Sequence, residues 1–257
     1  MRHQEYEIVG IVPMAGKGSR LGKLPFSKEL YPVDYENGKL KVVANHLMDS
    51  MVDAGVSQIH IVIRDGKWDI PAYYKSTFSN KTPICYHITE YEYGVPFSVN
   101  QANAFLNDKH VVLGFPDILF KPKNACKNIV DQLLSSDVSI VLGLFPVSNP
   151  TKYDMVLIDD NDLVQDIVIK PTETTYKYGW ILAAWKSPFN HYLNQFIQSS
   201  LSSKTSDELI NSEIFFGDVI IAAIESGLQV KGVVFDKGKS VDLGTPENLR
   251  GSSFFGV

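Results

Sequence analysis

Cysteine is scarce. Only Cys85 and Cys126 occur among 257 residues, with no CxxC pair and no companion histidine at metal-ligand spacing. That argues against a disulfide-stapled secreted module and a cysteine-built metal site, and makes a cytoplasmic, reducing setting the expectation. An excess of positive charge is missing as well: 24 Lys and Arg stand against 29 Asp and Glu, a net charge of −5. No broad basic face is therefore expected for nucleic acid or an anionic membrane. The longest apolar-rich stretches, Val138 to Phe145 and Val219 to Ile224, fall far short of the ~20 residues of a membrane span. The opening residues MRHQEYE are charged and run straight into a strand-like segment, unlike a signal peptide. Repeats and low-complexity linkers are lacking. The remainder is an ordinary globular composition in a chain long enough to bury roughly three quarters of its extended surface.

Short β-branched runs alternate with helix-like segments, the pattern of βαβ units around a parallel sheet. Strands are predicted at Ile8–Pro13, Ile59–Ile63, Pro83–Ile88, His110–Gly114, Val138–Phe145 and Val230–Phe235. Helices are predicted at Val42–Ala54, Ile70–Phe78 with Asp69 as N-cap, Val95–Leu106, Asn124–Leu134, Phe189–Leu201 and Asn211–Ser226. Between Asp154 and Trp185 short strands replace this alternation, with a hairpin turn at Asp159–Asp162. The expected fold is a Rossmann-like, three-layer α/β/α domain over residues 1–257. It has a mixed, mostly parallel sheet and a small β-rich insertion in the second half.

The most informative stretch is VPMAGKGSRLGKLPFSKEL, Val12 to Leu30. It follows a hydrophobic strand, so it lies at a strand carboxyl end, where open α/β sheets bind ligands. Gly16 and Gly18 lack Cβ atoms and let backbone N–H groups approach phosphate oxygens. Lys17, Arg20, Lys23 and Lys28 put four cations into twelve residues, with no acid before Glu29. An acidic protein that gathers cations here is suited to a phosphorylated ligand; a flexible basic surface loop is the plainer alternative. A Walker A loop does not fit, because Gly10 is one residue too early and Lys17 is followed by Gly18. A dinucleotide fingerprint does not fit either, since Gly22 falls one residue late.

The ordered set Gly16, Gly18, Ser19, Arg20, Leu21, then Lys28, Leu30, Pro32 and Val33 resembles the signature loop of the sugar-phosphate nucleotidyltransferases, the nucleotide-sugar pyrophosphorylases. Ser27 stands where that pattern has proline. Later landmarks agree in order: Asp117 after the fourth strand, Lys170-Pro171, Gly179-Trp180, and Asp242, Gly244, Thr245, Pro246 and Leu249 near the end. The resemblance implies a nucleotide-binding half over about residues 1–120 and an acceptor-binding half over about 121–250. It implies nucleotide contacts from Ala15, Gly16, Lys17, Gly18, Ser19, Arg20, Thr89 and Gly94. Arg20 and Lys28 would serve as catalytic cations on the phosphates. Lys170, Gly179 and Trp180 would meet the acceptor, and Asp117 and Asp242 would hold Mg²⁺. The partners implied are a nucleoside triphosphate and a phosphorylated small molecule.

Chemistry accounts for these residue types. Attack of a phosphate monoester on an α-phosphorus brings two anions together, so charge must be neutralised and the line of attack held. Mg²⁺ does this with one or two carboxylates plus phosphate oxygens. The attacking oxygen is already anionic near neutral pH, so no catalytic histidine is needed. The six histidines show no close pairing in sequence and are expected in ordinary surface or core roles. Taken singly, Asp117 reads as a turn or cap residue, Asp242 as a turn before Gly244, and Lys170 as a solvated strand charge. Ile169 stands where the family commonly has a sugar-contacting glutamate, and Tyr176, Tyr178, Trp180 and Trp185 make that region aromatic. Core packing is the plain explanation. An alkylammonium acceptor such as phosphocholine, in a cytidylyltransferase, is the sharper one. Two other classes compete: a nucleotide-sugar-dependent glycosyltransferase, with Asp160-Asn161-Asp162 at D-x-D spacing, and a non-catalytic nucleotide sensor. The sequence stops eight residues after Leu249, which suggests a stand-alone catalytic domain.

Overall fold

A computed structural model describes residues 6–18, 21–22, 24–36, 38–91, 93–245 and 248. The first strand, β1 (Ile8–Pro13), is buried along its length because both of its faces are covered. It pairs in parallel with β4 (Gln58–Ile63) on one side and β6 (His110–Gly114) on the other. β5 (Ile84–Ile88) extends the sheet beyond β4, also in parallel.

On the far side of β6 runs β11 (Tyr178–Trp185), antiparallel to it. The other edge of β11 carries β8 (Ile140–Pro146), and β12 (Val230–Val234) lies parallel to β8. The first residues of β11, Tyr178 and Gly179, also pair with β9 (Met155–Ile158), and β9 pairs with β10 (Val164–Val168) in a hairpin. The nine-stranded sheet is thus mixed and mostly parallel. In the hairpin turn, Asp159 Oδ1 accepts from the backbone N–H groups of Asn161 and Leu163, both at 2.9 Å.

Helices cover both faces. α1 (Val43–Asp53), α2 (Asp69–Tyr74) and α4 (Ala125–Leu134) pack against Met14, Ile59, Ile61, Val112 and Val141. α3 (Val95–Asn100), α5 (Pro188–Ser203) and α7 (Phe216–Glu225) pack against Val9, Ile11, Val62, Val111 and Leu142. This is the expected three-layer architecture. Among the described residues no helix is long and apolar enough to cross a membrane.

Three local expectations need correction. The helix expected over 211–226 starts later, as α7 at Phe216; a separate short helix, α6 (Ser206–Asn211), precedes it, and an extended segment joins the two. The Ile214 N–H donates to the Tyr93 carbonyl at 3.1 Å, which draws that segment across the end of the sheet. Asp69 does not cap α2; it is the first residue of that helix, and its carboxylate is used elsewhere. The histidines are not all apart: His60 Nδ1 lies 2.8 Å from His87 Nε2. The parallel β4–β5 register puts both on one face, one diagonal step apart.

Two small two-stranded sheets complete the fold. β2 (Pro32–Glu36) and β3 (Lys39–Val42) form a hairpin. β7 (Ile118–Lys121) pairs antiparallel with β13 (Lys239–Asp242), joining segments about 120 residues apart in the chain. β7 is anchored from behind by the buried His46 of α1, whose Nε2 lies 2.7 Å from the Phe120 carbonyl oxygen. Burial pushes the His46 imidazole down to about 4, so it is neutral at physiological pH.

Candidate active site

Because β1, β4, β5 and β6 run in parallel, the segments that follow them emerge at one end of the sheet. β11 runs the other way, so its first residues lie at the same end. A cleft of about 570 Å³ opens there. Its walls include Ala15, Gly16, Lys17 and Gly18 after β1, Arg64 after β4, Tyr91 and Gly94 after β5, and Asp117 after β6. Lys28, Lys170, Trp180 and Asp242 line it too. Ser19 and Arg20 lie outside the described residues, as do Pro246 and Leu249. Thr89 and Gly179 are not among the walls. Thr89 is buried and its hydroxyl accepts from the Tyr91 N–H at 3.1 Å, while Gly179 packs against Tyr153 and Val147.

The two aspartates meet through backbone pairing. In the β7–β13 ladder Asp242 stands opposite Ile118, and the Leu243 N–H donates to the Asp117 carbonyl at 2.8 Å. Residues 125 positions apart therefore sit on neighbouring rungs at the cleft wall. Asp242 also makes the local turn its sequence context suggests, with Oδ1 accepting from the Gly244 N–H at 2.6 Å. Lys28 reaches across, its Nζ 2.5 Å from Asp117 Oδ2. Burial alone would lower the Lys28 ammonium, but Asp117, with Glu29 and Asp242 behind it, holds it above its ordinary value. Lys28 is thus a charged donor facing the paired carboxylates.

Gly18 adopts φ +67°, a left-handed conformation that bends the loop, and its carbonyl accepts from the Leu21 N–H. Two polar clamps fix the loop further on. Asp69 accepts from the Ser27 N–H at 2.6 Å and the Ser27 hydroxyl at 2.7 Å. Proline at this position would have no N–H to offer, so the serine exploits what the family pattern lacks. Next to it, Lys67 Nζ lies 2.8 Å from both oxygens of Glu29, and both side chains are almost wholly enclosed. Burial raises the Glu29 carboxyl and lowers the Lys67 ammonium, so each needs the other to stay charged. Lys28 is flanked by these two anchors.

The facing side of the cleft is aromatic; of the aromatic residues the sequence marked, Trp180 lies in it, while Phe115, Phe215 and Phe216 carried no mark. Phe115, Trp180, Phe215 and Phe216 line it, with Phe115 and Trp180 ring centroids 5.5 Å apart. Lys170 has φ +40° just beyond β10, and its Nζ lies 3.8 Å from the centre of the Phe215 ring. Trp185, by contrast, is pure core, and Tyr176 and Tyr178 bond outward to Asp166 and Asp236. Gly94, at φ +119°, is required by a close approach of the chain itself: a Cβ there would collide with the Ile214 carbonyl oxygen. Asp154, which no motif marked, is buried on this wall. Among the described residues its Oδ1 and the Trp180 Nε1 are enclosed without a hydrogen-bond partner of good geometry, although the indole lies near enough to favour the carboxylate. Burial pushes its carboxyl up to about 6, with Lys170 opposing the rise.

The model of a family described as nucleotidyl transferase matches residues 9–253. The chain belongs to the nucleotidyl transferase family. A curated relative, the low-salt glycan biosynthesis nucleotidyltransferase Agl11 of Haloferax volcanii, is 22% identical over 243 residues. The match takes in 93% of this chain but 63% of that relative, so the chain spans less than two thirds of its length. Two solved structures share the fold. One, described as a glucose-1-phosphate thymidylyltransferase from Bacillus anthracis in complex with sucrose, has TM-score 0.78 at 17% identity, over 95% of this chain and 92% of that one. The other, a UDP-glucose pyrophosphorylase from Acinetobacter baumanii, has TM-score 0.72 at 16% identity, over 94% and 90%.

Two outcomes follow from this geometry. Lys67→Met leaves Glu29 buried and unpaired, and is expected to cost about 3 kcal/mol in urea denaturation. Adding Glu29→Met to it should recover most of the loss; additive costs in the double variant would contradict a coupled pair. Asp154 has its folded-state pKa raised above the ordinary 3.8. Its contribution to stability is therefore greatest below that value and is lost as pH rises through about 6. Relative to Asp154→Asn, the native protein should lose about 2 kcal/mol between pH 4.5 and 7.5. A pH-independent difference would contradict the assignment.

Proposed function

We propose that this protein joins a phosphate monoester, by preference a sugar 1-phosphate, to a nucleoside triphosphate and releases pyrophosphate. The observation that carries the reading is the meeting of Asp117 and Asp242 on adjacent rungs of one ladder, beside a glycine-lined loop and opposite Lys28. Family membership and the fold shared with sugar nucleotide enzymes support it.

In this reading Gly16 and Gly18 offer backbone N–H groups to the triphosphate, and Lys17 and Lys28 add positive charge. Lys170 meets the acceptor's phosphate from the aromatic side of the cleft. The monoester oxygen attacks the α-phosphorus, an O–P bond forms, and the bond to the pyrophosphate oxygen breaks in line. Lys28 needs only to donate, since the nucleophile is already anionic. The donor set at the rung, two hard carboxylate oxygens from two residues, suits Mg²⁺ shared with substrate phosphates rather than an all-protein cage. Bound Mg²⁺ would neutralise phosphate charge there. A glycosyltransferase reading loses its D-x-D candidate, because Asp160-Asn161-Asp162 forms the β9–β10 turn and is absent from the cleft wall.

One observation favours a second acceptor class. Four aromatic rings together with the buried Asp154 carboxylate make a wall that an alkylammonium phosphate such as phosphocholine would match.

The test is pyrophosphate release with each common nucleoside triphosphate mixed with a panel of sugar 1-phosphates and phosphocholine. Release is expected only when a triphosphate, a sugar 1-phosphate and Mg²⁺ are all present, and EDTA should stop it. Release with phosphocholine alone among the acceptors would transfer the assignment to the second class. Nucleotide binding without release in every pairing would overturn the catalytic reading.

A further inference from the structure

A second cleft, of about 470 Å³, lies behind the glycine loop, between it and the segment that follows β4. The two clefts share Gly16, Lys17, Gly18, Lys28 and Arg64 in their walls. Arg64 is thus the one shared residue that does not come from the signature stretch. It is the first residue past β4, and the adjoining strand end is fixed by the Met14 N–H donating to the Val62 carbonyl at 2.7 Å.

The electrostatic setting of Arg64 is unusual. Its Nε is buried with no hydrogen-bond partner among the described residues. The carboxylates nearest in the chain or across the loop are engaged elsewhere. Asp65 accepts from the Trp68 indole N–H at 3.1 Å, Glu29 takes Lys67, Asp69 takes Ser27, and Asp117 takes Lys28. A guanidinium cannot shed its proton, and its planar fork of donors suits phosphate oxygens. Set half-buried in a cleft wall with these acids committed, it is a donor suited to an anion supplied from outside the chain.

We propose that Arg64 binds the terminal phosphates of the nucleotide, the part that leaves as pyrophosphate, at the junction of the two clefts. The inference rests on the nucleotidyl-transfer reading and adds to it a residue outside the signature loop. A triphosphate whose α-phosphorus faces the Asp117–Asp242 rung extends its far end past Gly16 to Gly18 toward Arg64. The guanidinium then stabilises the charge that builds on the departing group.

The experiment is isothermal titration of the full chain, with Mg²⁺, using inorganic pyrophosphate, the nucleoside triphosphates and the matching monophosphates as probes. It compares the native protein with Arg64→Gln and Arg64→Lys. Arg64→Gln should weaken pyrophosphate and triphosphate binding at least tenfold and leave monophosphate binding within twofold. Arg64→Lys should restore part of the loss. Because the Arg64 Nε makes no hydrogen bond among the described residues, the ligand-free melting temperature should be unchanged or higher in both variants. Unchanged pyrophosphate affinity in Arg64→Gln would overturn the proposal. So would equal losses for mono- and triphosphate, or a ligand-free melting temperature lowered by more than about 5 °C, which would mark Arg64 as structural. Native protein that binds neither triphosphate nor pyrophosphate would defeat the nucleotidyl-transfer reading itself, and this inference with it. Tight triphosphate binding in both native protein and variant would defeat only the role of Arg64.

Discussion

The site depends on the pairing of two short strands. β7 and β13 are four residues each, and their ladder is what makes Asp117 and Asp242 neighbours. Asp117 and Asp242 bring two negative charges to one partly enclosed wall. The fold compensates with Lys28 at 2.5 Å from Asp117 and with the backbone N–H of Gly244 on Asp242. The rung is anchored from behind by the neutral, buried His46 on the Phe120 carbonyl. A charged lysine and a pair of carboxylates are thereby set out before any substrate arrives, which is the economy of a preorganised electrostatic site.

The same logic runs outward from the rung. Lys28 lies on a loop with little regular structure, so it must be positioned by side chains. The Ser27–Asp69 and Glu29–Lys67 contacts bracket it on either side and tie the loop to the segment after β4. Those contacts also engage carboxylates of the loop and of the segment after β4, and among the described residues the Arg64 Nε has no hydrogen-bond partner. Across the cleft, aromatic rings and the buried Asp154 make the facing wall, with Lys170 set over Phe215. One end of the sheet thus carries Lys17, Lys28 and Lys170, the carboxylate rung and a set of aromatic rings around one cleft.

Much of this was legible because it is local. β1 and β6 have the limits their β-branched runs and flanking turn residues suggested, and the glycine and lysine spacing after β1 marked the ligand-binding loop. What escaped is what depends on distant pairing. KSVD and ILFK carry no strand pattern of their own; each becomes a strand because the other is there. The break between α6 and α7 interrupts a continuous apolar spacing, and it is set by the Tyr93 carbonyl and the steric need at Gly94. The His60–His87 contact follows from parallel register, which spacing along the chain does not reveal. Asp154, Phe115 and Phe215 belong to no motif, and only the convergence of β6, β9 and the α6–α7 connection makes them one wall. Thr89, expected at the nucleotide, instead bonds within its own turn.

The proposed function requires the two aspartates to act together on one divalent ion. Mn²⁺, a spectroscopically visible substitute for Mg²⁺, can be titrated into the full chain with a nucleoside triphosphate and followed by electron paramagnetic resonance. Asp117→Asn and Asp242→Asn should each weaken formation of the ternary complex more than tenfold while the far-ultraviolet circular dichroism stays native. If either variant held Mn²⁺ and nucleotide as tightly as the native protein, the shared site on the β7–β13 rung would be contradicted.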